Sequence, residues 1–501
     1  MKFWTNKISL DGSIFANFCA AIENYITEDI QQMMKFKFYS AIIAGLLLLP
    51  FSADAQYRDK KNQEEAPKTE AQQLIERADS SETPVIITLE DALKIALSEN
   101  VAVKVADLEI QRSQYAKKGA YAALFPQIDL TGSYQRTLKK QVMYMTMNGQ
   151  SMGIEVGKSN TVNAGASAAL PIVNAQLWKS LKLSALDVEL SVEKARSSRL
   201  DMVTQVKNAY FGALFAKEAF NVYKEVYENA MTNLEEAQKK YDAQKTSEFE
   251  LVRAKTSVAN AIPNVYNAES SIILALWQLK AVLGVDLEMN IDVAGALDEY
   301  SQQMFYDIHQ HDSVSLDNNT TMKQLAIQVE QLAQNIKVQQ FANIPSLALA
   351  FNFSYMSMAD DVSFKEFPWT PYSTVGLSLN IPIFAGGKRY QAIRQAKNQY
   401  QQVQLQVENT ERQLKIAIRQ SLNTMEMNMK SYYAAQSAVE SAQKAYDIAE
   451  ASYKLGRGTL LDLNDAQLAL TQSKLAQSQA VYNFITAKAQ LEQTLGQDFV
   501  E

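Results

Sequence analysis

The sequence has one cysteine, Cys19, and two histidines among its 501 residues. One cysteine cannot form an intrachain disulfide, and so few cysteines and histidines leave no metal site of the usual ligand types. No phosphate-binding glycine motif and no nucleophile–base–acid set is recognisable, so we expect no enzymatic activity, no catalytic residues and no cofactor. A net charge of −7 without a basic stripe argues against nucleic acid as a partner.

A secretory signal peptide is predicted over residues 34–55. Lysines precede a short apolar run, and Ala53 and Ala55 supply small residues at a cleavage site. The apolar run is too short to cross a bilayer as a helix. Residues 1–33 are either an upstream extension from a misplaced start codon, which we favour, or a real cytosolic segment. Cleavage after Ala55 would remove Cys19, so no cysteine would remain for N-terminal lipid attachment.

Four later segments alternate apolar and small polar residues with a strict period of two, at about 127–137, 160–170, 346–357 and 373–383. This alternation is typical of the wall of a membrane β-barrel. For a single segment of this kind, a half-buried strand of a soluble sheet would be the favoured interpretation. Four of them, in an exported chain that otherwise favours helix, indicate transmembrane strands.

The rest of the sequence predicts two very long helices. Between Asn174 and Gln244 the only glycine is Gly212, and between Lys388 and Leu455 there is neither glycine nor proline. At 1.5 Å per residue each helix would reach roughly 100 Å, which is typical of a coiled coil. Towards their ends apolar residues and alanines are spaced 4-3-4-3-4, and this 3.5-residue period predicts left-handed supercoiling against a returning helix.

Both halves of the chain repeat one order of elements: a shorter helix, a strand pair, a very long helix, a sharp turn and a return helix. The return helices are predicted at Ser247–Leu283 and Thr459–Leu495, which are related by the same 212-residue offset. These features predict an internal duplication. The predicted organisation is a flexible leader at 56–87, repeat 1 at 88–284, a polar insert or equatorial region at 285–318, repeat 2 at 319–496 and a short tail at 497–501.

Four strands per chain cannot seal themselves in lipid, because hydrocarbon does not tolerate two open sheet edges. Several copies must therefore combine their strands into one barrel. Two copies would supply eight strands, which enclose little beyond side chains, whereas three or four copies would supply twelve or sixteen. The residues alone do not choose between twelve and sixteen.

Four motifs make the chain similar to the TolC-type outer-membrane efflux protein family. They are "TLEDALKIALSEN" (Thr88–Asn100), "ALFPQIDLTGSY" (Ala123–Tyr134), "LNIPIFAGGKR" (Leu379–Arg389) and "YKLGRGTLLDLNDAQLAL" (Tyr453–Leu470). The resemblance implies a mainly α chain with transmembrane β strands. It implies a homotrimer in which long helical hairpins form a tunnel across the periplasm and four strands per chain form a 12-stranded β-barrel in outer-membrane lipid. It also implies a periplasmic adaptor (membrane fusion protein) and an inner-membrane pump of the RND or ABC type, working in multidrug efflux or type I secretion.

Acidic residues at the two sharp turns are candidates for a pore constriction. Asp462 and Asp465 are three positions apart, so they share one helical face. If that face points inward, three-fold symmetry gathers six carboxylates, which would favour cations and resist anions. The resemblance identifies both as gate residues and Tyr453 as a latch partner, and Glu250 is the first-half counterpart of Asp462. The alternative is a solvated helix start, where acids favour the helix dipole anyway.

The turns themselves are predicted to contact the adaptor. The candidate residues are Gly456, Arg457 and Gly458 in the second half, and Gln244, Lys245 and Thr246 in the first. The family's tip arginine aligns with Gly458, so the resemblance does not show whether Arg457 keeps its latch role. A strand-exit motif is expected at Pro171, Pro382, Gly386 and Gly387.

Two other functions remain open at this stage. One is a soluble periplasmic coiled-coil adaptor or scaffold. The other is a metal-specific channel for copper or silver, because methionines such as Met143 and Met145 carry thioethers that suit Cu(I); we favour a flexible apolar lining at the outer mouth. His309 and His311 lack acidic or cysteine neighbours at ligand spacing, so we expect them on the surface and predict no metal site.

Overall fold

The computed structural model describes residues 84–147, 150–304, 315–360 and 369–498. The predicted extension, the signal peptide, nearly all of the leader and both histidines lie outside the described residues. A short strand, β1 (Val85–Ile87), precedes repeat 1. Repeat 1 contains α1 (Leu89–Glu99), α2 (Val101–Ala122), β2 (Gln127–Arg136), β3 (Gln141–Met147), β4 (Gln150–Val156), β5 (Asn160–Val173), α3 (Ala175–Asp242) and α4 (Glu248–Leu283). The rest contains β6 (Ile291–Val293), a 3₁₀ helix (Leu297–Gln303), α5 (Thr320–Phe341), β7 (Ser346–Ala359), β8 (Trp369–Asn380), α6 (Lys388–Lys454) and α7 (Leu460–Leu495).

The two repeats have helices of matching length. The long helices α3 and α6 have 68 and 67 residues, and the return helices α4 and α7 have 36 residues each. The side chains of Ser247 and Thr459 cap the return helices, and Gly284 and Gly496 end them in the left-handed conformation. Only glycine adopts that conformation at little cost. No helix in the described part of the chain combines the length and the apolarity needed to span a bilayer.

Four strands form one antiparallel sheet in the order β2-β5-β7-β8. Each repeat supplies one strand pair, and the pairing of β5 with β7 joins the repeats. Among the described residues, the outer strands β2 and β8 each have one edge with no strand paired to it. Apolar side chains on both edges are exposed, with Leu130 at 86% and Val375 at 71%.

Two strand boundaries differ from the sequence expectation. β8 runs from Trp369 to Asn380 rather than about 373–383, because the ladder ends ahead of Pro382, which has no N–H to donate. β5 continues to Val173, so Pro171 lies inside the strand and not at its exit. There it is beyond the end of β2, which pairs only as far as Ala169, and the register with β7 shifts immediately afterwards.

Two further elements correct the predicted organisation. Val85–Ile87, at the end of the predicted leader, pairs in parallel with Ile291–Val293 from the insert. The insert is not simply polar, because Met289, Leu297 and Met304 are buried in the main core beside α3 and α7. Burial of these side chains fixes the insert against the helices. The hairpin β3–β4, which projects between β2 and β5, was not predicted either.

An asparagine joins the start of each repeat to its end. Asn100 Oδ1 accepts a hydrogen bond from Ala102 N at 2.7 Å, and its Nδ2 donates to the carbonyl of Val282 at 2.7 Å. Asn319 does the same in repeat 2, accepting from Met322 N and donating to Thr494 O. One side chain thus caps a short helix and satisfies a carbonyl at the end of the return helix.

Candidate functional site at the hairpin tips

The two helical hairpins turn at their tips with one backbone conformation. Gln244, between α3 and α4, has φ 53°, and Gly456, between α6 and α7, has φ 74°. The next amide closes each turn: Lys245 N donates to Lys240 O and Arg457 N donates to Ser452 O, both at 2.8 Å. The first tip therefore forms the glycine-type turn without a glycine.

Gly458 lies close to the end of α6, where the backbone leaves little space for a side chain. A Cβ at this position would lie 3.0 Å from Ser452 Cβ and 3.3 Å from Tyr453 N. A side chain here would require its neighbours in the turn to shift by a few tenths of an ångström. The neighbouring Arg457 is exposed, as are Gly456, Gln244 and Lys245, and Thr246 is partly covered.

Asp462 is held by the residue that caps α7. Its carboxylate accepts hydrogen bonds from Thr459 Oγ1 at 2.7 Å and from Thr459 N at 3.2 Å, while Thr459 Oγ1 accepts from Asp462 N. These bonds, first from the hydroxyl and then from the backbone, lower the pKa of Asp462. Asp465 lies one turn further along, and both side chains are exposed in the single chain. The capping role of Asp462 matches the solvated-helix-start alternative, and it also keeps the carboxylate ionised.

Glu250 is placed differently from its counterpart Asp462. Its backbone N donates to Ser247 Oγ at 3.4 Å, but its carboxylate does not complete a capping box. Instead Glu250 Oε2 is buried, without a hydrogen-bond partner among the described residues. Burial raises the pKa of Tyr453, and the charges of Glu250 and Glu236 raise it further. The structure therefore brings Glu250 and Tyr453 together across the two hairpins.

Lys240 is a functional candidate that the sequence did not indicate. Its ammonium lies 4.0 Å from the centroid of the Tyr453 ring and donates a hydrogen bond to Tyr453 O at 2.5 Å. Tyr453 is itself buried, in a small apolar tip cluster. The cluster combines both repeats and consists of Ala237, Leu251, Ala254, Tyr446, Tyr453, Leu460, Leu463 and Leu470.

Away from this cluster, polar pairs connect the hairpins. Asn464 Nδ2 donates to Ser257 Oγ at 3.0 Å, and Lys474 binds both carboxylate oxygens of Glu225 at 2.7 and 2.9 Å. Polar contacts of this kind can exchange with water at small net cost. These polar contacts add to the apolar packing between the hairpins, which includes the tip cluster and the part of the main core shared by α3 and α7.

The strand-exit residues lie at the other end of the long helices. Gly386 and Gly387 have φ 58° and 80° and lead directly into α6, and Arg389 Nη1 donates to Pro382 O at 3.0 Å. The structure thus separates this motif from the tips by the full length of α6. Within the described residues, no group of three or more His, Cys, Asp or Glu is placed to hold a metal ion.

Comparison with known proteins gives one consistent result. The sequence profile of the family described as "Outer membrane efflux protein" matches residues 92–285 and 313–497. Outer membrane protein TolC of Vibrio cholerae is 21% identical over 383 residues, which cover 75% of this chain and 83% of that protein. Alkaline protease secretion protein AprF of Pseudomonas aeruginosa is 22% identical over 409 residues, covering 80% and 82%. The solved Campylobacter jejuni CmeC outer membrane channel aligns with a TM-score of 0.63 and 19% identity, over 81% of this chain and 85% of that one.

Proposed function

Because the chain belongs to the outer membrane efflux protein family, we propose that three copies form a passive exit duct across the periplasm and the outer membrane. Substrates enter from an inner-membrane pump through a periplasmic adaptor. The family consists of channel proteins, and we propose no catalytic role and no cofactor for this chain. The processed protein begins after residue 55, and its two repeats span 88–284 and 319–496.

The open sheet edges support closure by copies of the same chain. β2 and β8 each have one unpaired edge, and a lipid-facing edge would leave backbone groups without partners. Pairing β2 of one copy with β8 of the next satisfies both edges. Three copies then make a 12-stranded barrel, wide enough for an aqueous lumen, whereas the eight strands of a dimer would be filled by side chains.

An exposed apolar stripe on α6 supports the same assembly for the helices. Leu405, Ile416 and Met427 are spaced eleven residues apart and are 65%, 64% and 55% exposed. Eleven residues make three helical turns, so the three side chains lie on one face. Neighbouring members of this row are about 16 Å apart, so they do not form a continuous patch, and they support a contact only together with the open sheet edges. In the proposed trimer a neighbouring copy covers this row.

In this arrangement the sheet lies in the outer membrane and the tips face the inner membrane. The adaptor contacts the exposed turn residues Gly456, Arg457, Gln244 and Lys245, with Thr246 and Gly458 shaping the turns. Asp462 and Asp465 from three copies line the mouth. Tyr453, with Glu250 and Lys240, latches the second hairpin to the first and holds the mouth narrow. The pump is of the RND or ABC type and selects the substrate.

The observation that carries this proposal is the open four-stranded sheet joined to two helical hairpins of matched length. The test is purification from outer membranes. A protein that requires detergent for extraction and has the mass of three chains supports the duct. A water-soluble protein would overturn the duct in favour of a coiled-coil scaffold. A deletion strain should lose resistance to detergents and dyes; loss of copper or silver resistance alone would identify a metal-specific channel instead.

A further inference from the structure

A groove of about 530 Å³ runs along α3 between α4 and α7. It lies over Gly212, the only glycine of α3. A Cβ added at Gly212 would come no closer than 3.9 Å to another side chain, the hydroxyl of Tyr482, so the space above this position is open. Volumes of roughly 300–1,000 Å³ are typical of sites for small organic molecules. The groove is therefore large enough for a drug-sized molecule.

The lining of the groove is partly aromatic and carries no charge among the described residues. The rings of Phe215 and Tyr482 stack with their centroids 5.5 Å apart and their planes at 21°, and they form one wall. Leu274 of α4, which is 58% exposed, adds an aliphatic side chain. A planar aromatic molecule can stack on such a wall. The remaining polar groups are neutral amides and hydroxyls, on Gln205, Asn208, Ser271 and Gln278.

Asn208 supplies the most specific feature of this lining. Its Oδ1 is buried and has no hydrogen-bond partner among the described residues. An unpaired buried acceptor is costly, so a donor that reaches it gains more than an ordinary hydrogen bond to water. Because Asn208 lines the groove, a half-turn of its amide would bring this oxygen to face a bound molecule. A ligand with an N–H group fits this position, whereas a ligand with acceptors only does not.

The groove lies on the face of α3 that points away from the insert. Tyr210 Oη donates to Ala294 O of the insert at 2.7 Å, so the insert packs on the Tyr210 face. At about 100° per residue, Asn208 and Gly212 each lie roughly 160° around the helix from Tyr210. In a duct of three copies the bore stays open only if the three inserts lie outside it. The groove then faces the bore.

We infer that this groove is a transit site for the exported molecule, and that it takes an amphipathic organic molecule with a planar aromatic part and an N–H donor. This inference rests on the proposed duct. Binding is weak, because the groove is open along one side and a conduit must release what it binds. Repeat 2 has different residues at the equivalent positions, so we expect one site in each copy. At the 212-residue offset, Gln420 stands for Asn208, Thr424 for Gly212 and Met427 for Phe215.

Photolabelling of the intact protein tests the site. The probe is 4-aminobenzophenone, which is neutral, aromatic and has an N–H donor, and which attaches under near-ultraviolet light to the groups it contacts. We expect labelling of the peptides around 205–216 and 271–282 to saturate with probe concentration, as measured by mass spectrometry. Partition into detergent or lipid labels the strands without saturation. Gly212→Thr gives repeat 1 the residue of repeat 2 and should reduce the saturable labelling several-fold.

A second variant tests the hydrogen bond. Asn208→Ala removes an amide whose oxygen has no partner, so the fold should be retained, and it should weaken saturable labelling by roughly two- to ten-fold. Gln420→Ala is the matched control at the equivalent position and should have no effect. Benzophenone has the same rings without the N–H group, so its labelling should not respond to Asn208→Ala. An equal response of the two probes would show that Asn208 acts only through packing, and the donor requirement would be wrong.

Two further results would overturn the site. One is labelling of these peptides that never saturates, and the other is saturable labelling that Gly212→Thr leaves unchanged. The mass of the assembly and its need for detergent, measured on the same samples, separate this failure from failure of the duct. A detergent-extracted trimer without saturable labelling would leave the duct and remove the site, whereas a labelled, water-soluble single chain would leave the groove and remove its role in transit.

Discussion

The ammonium of Lys240 lies over the ring of Tyr453, 4.0 Å from its centroid. Lys240 is in the last turn of α3 and Tyr453 is near the end of α6, so this contact joins the first hairpin to the second at their tips. Glu250, from α4, lies close enough for its charge to raise the pKa of the Tyr453 phenol. One buried aromatic ring thus connects three helices at the proposed mouth of the duct.

Removing the Lys240 charge should loosen this junction. A cation–π contact contributes about 0.5–2 kcal/mol, so Lys240→Met should shift the closed–open equilibrium by roughly two- to thirty-fold towards open. Single-channel conductance in planar bilayers measures the shift. Lys239→Met is the matched control, because it removes the same charge from the next residue, which pairs with the exposed Glu235 and the half-buried Glu236 and not with the Tyr453 ring. Equal effects of the two variants would rule out the latch role of Lys240.

The gate carboxylates should control ion selectivity. Asp462→Ala combined with Asp465→Ala should raise the single-channel conductance and weaken the preference for cations, because six negative charges leave the proposed constriction. The double variant also removes the carboxylate half of the capping box, while the N-cap Thr459 stays, at a cost of about 0.3–1 kcal/mol. Asp91→Ala controls for that loss, since Asp91 forms a capping box with Thr88 at the same distances, but in α1. Unchanged conductance in the double variant would contradict the gate assignment.

Backbone strain at the first tip should be relieved by glycine. Gln244 has φ 53°, a conformation that costs a residue with a side chain roughly 1–2 kcal/mol relative to glycine. Gln244→Gly should therefore slow hydrogen exchange of the tip amides about five-fold or more. Gly456→Ala should have the opposite effect. The added Cβ would meet no atom within 4 Å, so this variant tests only the conformational cost of the positive φ. If both variants shifted hydrogen exchange in the same direction, the two tips would not share one backbone conformation.

Alkaline pH should weaken the tip cluster through Tyr446. Burial, assisted by the charge of Glu450, raises the pKa of Tyr446 from its ordinary value of 10 to about 12. Because the folded state holds the proton more tightly, this contribution to stability is complete below pH 10. It is lost as the pH rises towards 12. Absorbance of phenolate should show a late-titrating group of tyrosines, and Tyr446→Phe should remove one of them while leaving Tyr210, whose pKa is also raised to about 12. An identical titration in both proteins would contradict the prediction.

The sequence predicted the parts of the fold that depend on local periodicity. The caps Ser247 and Thr459 and the end residues Leu283 and Leu495 of the return helices lie where the pattern indicated. The strands of the main sheet were recognisable because alternation over ten or more residues is a strong signal. The strand Val85–Ile87 was missed because three residues have no measurable period, and its partner lies about 200 positions away.

The site was harder to predict for the same reason. Asp462 and Glu250 are equivalent by position, yet the first is exposed in a capping box and the second has a buried carboxylate oxygen. Lys240 gains its role from a contact with Tyr453 across more than 200 residues of chain, which no spacing rule encodes. The duplication indicates where each tip lies, and the packing between the repeats determines how the two tips differ.

The two return helices have 36 residues each, and this equal length places the two tips at the same distance from the sheet. A heptad adds about 10 Å to a helix, so lengthening only one hairpin would leave its tip about 10 Å beyond the other and disrupt the mouth of the proposed duct. A species with a wider space between its two membranes would need matched heptads in all four long helices at once. The length of the helical part can therefore change only by whole heptads, and each added heptad must be inserted in all four helices of the two hairpins.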